Sequence, residues 1–160
     1  MPKKKINYWK LGLSILVCLL AGFIGSFFTI SSVSTWYTTL NKPFFNPPSW
    51  LFGPIWTILY ILMGVSLYLI WEKRIKSEES KTAVLIFGVQ LFLNLMWSII
   101  FFAVQSPFYA FIEIILLWIT IVITMIYFYK ISKPATYLLI PYILWVTFAA
   151  LLNFSIYYLN

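Results

Sequence analysis

The stretch TAVLIFGVQLFLNLMWSIIFFAVQSPFYAFIEIILLWITIVITMIYFYK, residues 82–130, decides the fold. Between its ends it carries a single charge, Glu113. A membrane-spanning helix needs roughly 20 apolar residues, and this stretch is long enough for two. The break falls at Gln105, Ser106 and Pro107. Proline cannot continue the helical hydrogen-bond ladder and biases the residue before it away from helix, so a tight hairpin fits there. Strands are excluded because the apolar runs are too long and lack the in–out alternation of a membrane barrel.

The rest of the chain repeats this pattern. Of its 160 residues 62% are hydrophobic and 9% charged, more apolar surface than a soluble domain of this size can hide. The charge-free runs are 11–41, 43–71, 82–112, 114–129 and 134–160. They predict an all-α membrane protein, a single bundle of five transmembrane helices over 11–32, 49–71, 82–104, 108–130 and 134–158. Residues 1–160 form one domain on this reading, without internal repeat or separate soluble part. The basic, then apolar, start resembles a signal peptide, but its apolar run is too long and no small-x-small site follows, so span one reads as uncleaved. Residues 72–81, EKRIKSEESK, read as the one ordinary solvated loop.

The net charge of +7 is distributed as a topology signal rather than as a nucleic-acid footprint, so no nucleic-acid partner is expected. Lys3, Lys4, Lys5, Lys10, Lys73, Arg74, Lys76, Lys81, Lys130 and Lys133 fall on one side of a five-span chain, and Lys42 stands alone on the other. The positive-inside rule then puts the N-terminus inside and the C-terminus outside. Aromatic pairs near the span ends, such as Tyr8 with Trp9 and Trp36 with Tyr37, suit the headgroup boundary.

This places a second stretch, WYTTLNKPFFNPPSWLFGPIWTILY at 36–60, on the outside. It has four prolines, three tryptophans and Lys42 as its only charge, a stiff composition suited to covering a greasy ligand. Residues 33–48 are therefore read as an outer capping loop.

Much chemistry is absent. The chain has no His, no Asp and one cysteine, Cys18, in the middle of span one. A Ser-His-Asp triad, a histidine zinc site and histidine-ligated haem cannot be built, and no metal or required cofactor is expected. A single buried cysteine is most simply a small core residue.

A few polar and aromatic residues stand out inside the membrane. Glu113, the only acid outside 72–79, lies roughly 8 Å from the outer end of span four. It is either a ligand or proton contact or an interhelical hydrogen bond. Asn94 has the same two readings, and Trp97 shares its face one turn on. In span two Trp56, Tyr60 and Gly64 recur at i, i+4, i+8. In span five Trp145, Phe148, Ala149 and Leu152 share a face, one turn after the mid-span Pro141, a position that can bend the helix. By depth, Trp56 and Trp97 fall at about 10 Å, Asn94 and Ala149 at about 15 Å and Trp145 near 20 Å from the outer ends, all beneath the aromatic loop. A mostly apolar cavity with a few polar groups is what a small hydrophobic ligand needs.

Three motifs, WY…KPFFNPPSW…FGPIW at 36–56, LNLMWSIIFF at 93–102 and PYILWVTFAALLN at 141–153, together resemble the tryptophan-rich sensory protein family, also called the translocator protein or peripheral benzodiazepine receptor family. The chain looks like a bacterial member. The resemblance implies a five-helix bundle, often dimeric, in the bacterial cytoplasmic membrane. It implies a lidded pocket for porphyrins such as protoporphyrin IX and for similar hydrophobic ligands, in tetrapyrrole sensing, regulation or transport. By motif position the pocket would include Tyr37, Trp56, Tyr60, Asn94, Trp97, Glu113, Trp145, Phe148 and Ala149. Trp56 and Trp145 match positions linked to light-dependent porphyrin breakdown, the alternative, enzyme-like reading; a small-molecule transporter is a third. The sterol motif of mitochondrial members lacks its terminal base here, since Tyr157 and Tyr158 precede only Leu159 and Asn160. A scaffold reading rests on Ala21-x3-Gly25 and Gly22-x3-Ser26, small residues that would seat a partner helix.

Overall fold

A computed structural model describes residues 5–73 and 77–160. Lys3, Lys4, Arg74 and Lys76, counted above for charge, lie outside the described residues. The elements are α1 (Tyr8–Val33), the short α2 (Trp36–Thr39), α3 (Phe52–Glu72), α4 (Glu78–Ser98), α5 (Pro107–Ile131), the short α6 (Lys133–Tyr137) and α7 (Ile140–Leu159). A 3-10 turn, Ser49–Leu51, leads into α3, and a π turn, Ile99–Ala103, ends α4. The described residues are helical or irregular, with no strand.

Five segments are long and apolar enough to cross a membrane: Tyr8–Val33, Ser49–Glu72, Glu78–Ala103, Pro107–Ile131 and Lys133–Leu159. Their outward faces are apolar, with Phe23, Phe27 and Ile30 on α1 and Leu116, Ile119 and Ile126 on α5 exposed, a surface that suits lipid and not water. The protein is an integral membrane protein.

Local chemistry sets the ends. Asn7 caps α1, its side chain accepting from Lys10 N–H at 3.2 Å. The hairpin at 105–107 forms as its composition predicts. Gln105 takes a left-handed φ of 57°, Ser106 caps α5 and Pro107 opens it, where a missing N–H is harmless. The π turn before it leaves Phe102 O for the hydroxyl of Ser32 on α1, which donates at 2.7 Å.

Two expectations are corrected. Residues 78–81 are not loop. Ser77 caps α4, and Glu78 and Glu79 occupy its first turn, where carboxylates complement the exposed N–H groups of a helix start. Pro141 does not bend a continuous helix. The fifth span breaks into α6 and α7 at Leu138 and Leu139, and Pro141 is the second residue of α7.

The helices close a ring. α1 packs on α3 and α4, α4 on α5, α5 on α7, and α6 bridges α5 and α3. The fully buried residues of α1 are all small: Ser14, Cys18, Gly25 and Ser32. They allow close approach. A Cβ on Gly64 of α3 would lie 2.5 Å from the Ile15 backbone, and one on Gly22 would lie 2.3 Å from the Tyr60 ring. Gly25 faces Ser98 of α4. Gly22 and Gly25, one from each of the two small-residue motifs of α1, thus face the chain's own α3 and α4.

Charged groups gather at the end of the bundle opposite the 34–48 connection. Lys10 pairs with Glu72 at 3.4 Å, Lys81 with Glu78 at 2.7 Å and Lys130 with Glu79 at 3.7 Å. Among the described residues Lys42 is the one cation at the loop end.

Candidate functional site

The loop end is organised by Tyr37, which α2 turns inward until it is buried. Its hydroxyl donates to Asn46 Oδ1 at 2.7 Å, and its carbonyl accepts from Lys42 Nζ at 2.8 Å. Lys42 also donates to Leu40 O at 3.1 Å, and its ammonium stands 4.9 Å from the Tyr37 ring centroid. The ring packs on Phe101 and Phe102 of the π turn. Burial pushes the Tyr37 phenol up to about 12, partly offset by the bond to Asn46. On the far side the loop is tied to α7. Asn41 N–H donates to Asn160 Oδ1 at 3.0 Å, and Asn160 Nδ2 donates back to Asn41 O at 2.9 Å. Phe45 meets Phe148 at 6.2 Å.

Beneath this lid lies a cavity of about 820 Å³, within the range of small-molecule sites. Its walls come from α1, α3, the end of α4 and α7; α5 contributes no residue to them. Six of the sequence-derived residues stand on the wall: Tyr37, Trp56, Tyr60, Trp97, Trp145 and Ala149. Their rings are held by neighbours. Trp56 stacks on Tyr60 with centroids 5.6 Å apart. Trp97 stacks on Phe101 at 5.2 Å, and its Nε1–H donates to Asn153 Oδ1 at 3.0 Å. Asn153 Nδ2 in turn donates to Pro107 O at 2.8 Å, tying α7 to the start of α5. Trp145 packs between Phe52 and Phe148, and its buried Nε1–H has no hydrogen-bond partner among the described residues.

Three sequence-derived residues stand off the wall. Asn94 lies behind Tyr60 in a buried polar chain. It accepts from the Tyr60 hydroxyl and donates to Tyr142 Oη at 3.0 Å, and Tyr142 donates on to Gln90 Oε1 at 2.8 Å. Of the two readings of Asn94, the interhelical one describes what its amide does here. Phe148 supports Trp145 and Phe45 from behind. Glu113 is buried on α5, 7% exposed, with neither carboxyl oxygen partnered among the described residues. It is outside the cavity because α5 is.

Other wall residues were not foreseen as site residues. Gly22, Ser26 and Thr29 of α1 line it, as do Phe101 and Asn153. The i, i+4, i+7 spacing of the three small α1 residues was a legible signal, but small-x3-small reads equally well as a packing face. Among the described residues no three metal-ligating side chains come together, and every wall side chain is uncharged. What the arrangement offers is an apolar, largely aromatic cavity with Ser26 and Thr29 on its α1 wall.

Known proteins share this chain's sequence over nearly its whole length. The TspO/MBR family profile matches residues 14–159. The tryptophan-rich protein TspO of Chlorobaculum tepidum is 51% identical over 150 residues, covering 94% of this chain and 95% of that one. Its namesake in Archaeoglobus fulgidus is 50% identical, covering 97% and 99%. The human translocator protein is 34% identical, covering 84% of this chain and 80% of its own length.

Proposed function

The chain belongs to the TspO/MBR family, and from that premise we propose that it is a membrane binding protein for porphyrins such as protoporphyrin IX and similar hydrophobic ligands, acting in tetrapyrrole sensing, regulation or transport. The observation that carries this reading is the cavity itself: about 820 Å³, uncharged and walled by Trp56, Tyr60, Trp97 and Trp145 beneath a fastened lid. Indole and phenol rings give a planar macrocycle broad stacking contact, and fixed rings lose little freedom on binding. The protein sits in the bacterial cytoplasmic membrane with the lid outside, in keeping with the positive-inside rule. Its partners are the ring ligand, the bilayer and a second copy of the chain. Cross-linking in native membranes tests the last.

The test of the binding reading is a Soret-band titration of the purified chain in the dark. Trp56→Ala and Trp145→Ala should each weaken binding by about 2 kcal/mol, roughly thirtyfold, while the helical content stays unchanged. Unaltered affinity in both variants, with the fold retained, removes the cavity from consideration.

A second reading is favoured by one observation: Trp56 and Trp145 both face the same cavity. A photoexcited ring between them can take an electron from either indole, and turnover then needs dissolved dioxygen, both of whose atoms enter the opened ring while the indole recovers its electron. Illumination should then consume porphyrin over many turnovers, and Trp145→Phe should abolish turnover while preserving binding. A single stoichiometric bleaching event sinks it.

A further inference from the structure

We propose that the outward face of α5 and its corner with α6 bind an anionic phospholipid, its acyl chains along α5 and its phosphate at Lys130 and Lys133. The argument starts from a row of residues that the cavity does not use. Ile112, Leu116, Ile119, Ile123 and Ile126 recur at alternating steps of four and three, so they stand on one face of α5. All five are exposed. Lys130 takes the next step of the same row. From Ile119 to Lys130 the row runs about 17 Å at 1.5 Å per residue, which matches one leaflet of a hydrocarbon core roughly 30 Å thick.

At the end of the row the chemistry changes. Lys130 lies in the last turn of α5, and Lys133 opens α6 after Ser132. The Lys133 ammonium stands 5.3 Å from the ring centroid of Tyr129, so it folds back over the end of α5. The carboxylates of this end leave the two lysines largely uncompensated. Glu72 pairs with Lys10 and Glu78 with Lys81. Glu79 meets Lys130 at 3.7 Å, but both groups are about half exposed, and such a contact neutralises little. Lys133 makes no ion pair among the described residues.

A second copy of the chain suits this face poorly. Two copies related about an axis normal to the bilayer would meet at matching ends, and each Lys130 and Lys133 would face its own kind. The row also contains no small residue, and membrane helices approach closely through small residues. An anionic lipid meets both needs of the surface, with acyl chains for the isoleucines and a phosphate for the ammoniums.

The experiment takes the full chain in detergent micelles doped with equal amounts of dioleoyl phosphatidylglycerol and dioleoyl phosphatidylcholine, and reads retained lipid by native mass spectrometry. The phosphatidylglycerol should be retained about tenfold over the phosphatidylcholine, which has the same chains and phosphate but carries its own cation. Lys130→Gln with Lys133→Gln should cut that ratio at least about fivefold, with helical content unchanged. The control, Lys5→Gln with Lys73→Gln, removes two other cations of this end that make no ion pair among the described residues, and should cut it less than about twofold. Free glycerol phosphate in about tenfold excess over lipid should displace none of it. Equal retention of the two lipids overturns the proposal. So does a control pair that costs as much as the test pair, because the preference would then belong to the whole basic end. Displacement by glycerol phosphate overturns it as well, since the corner would then read phosphate without the acyl row. A chain that keeps no lipid and runs as a dimer gives the row to a second copy, and the proposal falls.

Discussion

The two ends of the bundle are built from the same kinds of residue and pack in opposite ways. At the end remote from the lid, rings mate with each other: Phe87 stacks on Phe128 with centroids 5.7 Å apart and planes 10° from parallel. Around them Met63, Ile70 and Leu139 are almost wholly buried. At the loop end, Trp56, Trp97 and Trp145 pack on neighbouring rings and also line a cavity of about 820 Å³. The difference traces to how α1 meets α3. At Gly64 the Ile15 backbone comes within van der Waals range, so the helices close. A turn toward the lid the contact is instead the Tyr60 ring laid on Gly22, which holds the helices a ring's thickness apart. One residue's side chain thus separates a core from a binding slot. The polar chain Tyr60–Asn94–Tyr142–Gln90 lies at the boundary, and Tyr60 is its one member that lines the cavity.

The sharpest way to break this contrast is to overfill the closed end. Gly64→Leu drives a side chain into the Ile15 backbone and should destabilise by about 3 kcal/mol or more. In a chain of this size that lowers the melting temperature by roughly 10 °C in a detergent melt. An unchanged melt would mean that α1 is not seated there. Asn94→Leu tests the polar chain behind Tyr60. It strands the Tyr60 hydroxyl and removes a donor from Tyr142, which keeps its bond to Gln90, and should cost about 1–2 kcal/mol, visible without ligand. A variant with unaltered stability and lost affinity would instead make Asn94 a ligand contact.

The lid should respond to pH through Tyr37. Its phenol is raised from 10.0 to about 12 on folding, so the neutral form is the one the fold favours. Lid anchoring is therefore fully present below pH 10 and lost as pH rises toward about 12. Limited proteolysis at 40–48 should accelerate across that window in the native chain, and the step should vanish in Tyr37→Phe. Smallest of all is Glu113→Gln. Standing outside the cavity and without a partner among the described residues, the side chain should leave ligand affinity within about twofold when its ionisable group is removed. A tenfold loss would return Glu113 to the ligand.

Much of this was legible in the chain, and the residues show why. Spans were found within a few residues of their ends because lipid rewards apolarity at every outward position, and length is set by the bilayer. The start of α4 was missed because Glu78 and Glu79 look like loop in composition, yet suit a helix N-terminus. Pro141 was read as a bend because the apolar run continues past it, whereas the backbone breaks at Leu138 and Leu139. In the site, the tryptophans announced themselves by helical spacing. Tyr142, the hub of the buried polar chain, did not, since nothing local distinguishes it from the chain's other tyrosines.

The sequence by itself determined that this is a five-span membrane bundle with its cations at one end and an aromatic lid at the other. Apolarity, charge and length act residue by residue, so they can be read one residue at a time. It also determined which rings were available for a site. Only the tertiary structure decided which of them face the cavity. It put Asn94 behind Tyr60, Glu113 on α5 outside the cavity and Phe148 in support of Trp145, and it turned Gly22, Ser26 and Thr29 from a packing motif into a wall. Those assignments depend on how each helix is rotated about its axis against its neighbours. Rotation is settled by contacts between residues far apart in the chain, such as Gly64 on Ile15 and Tyr60 on Gly22.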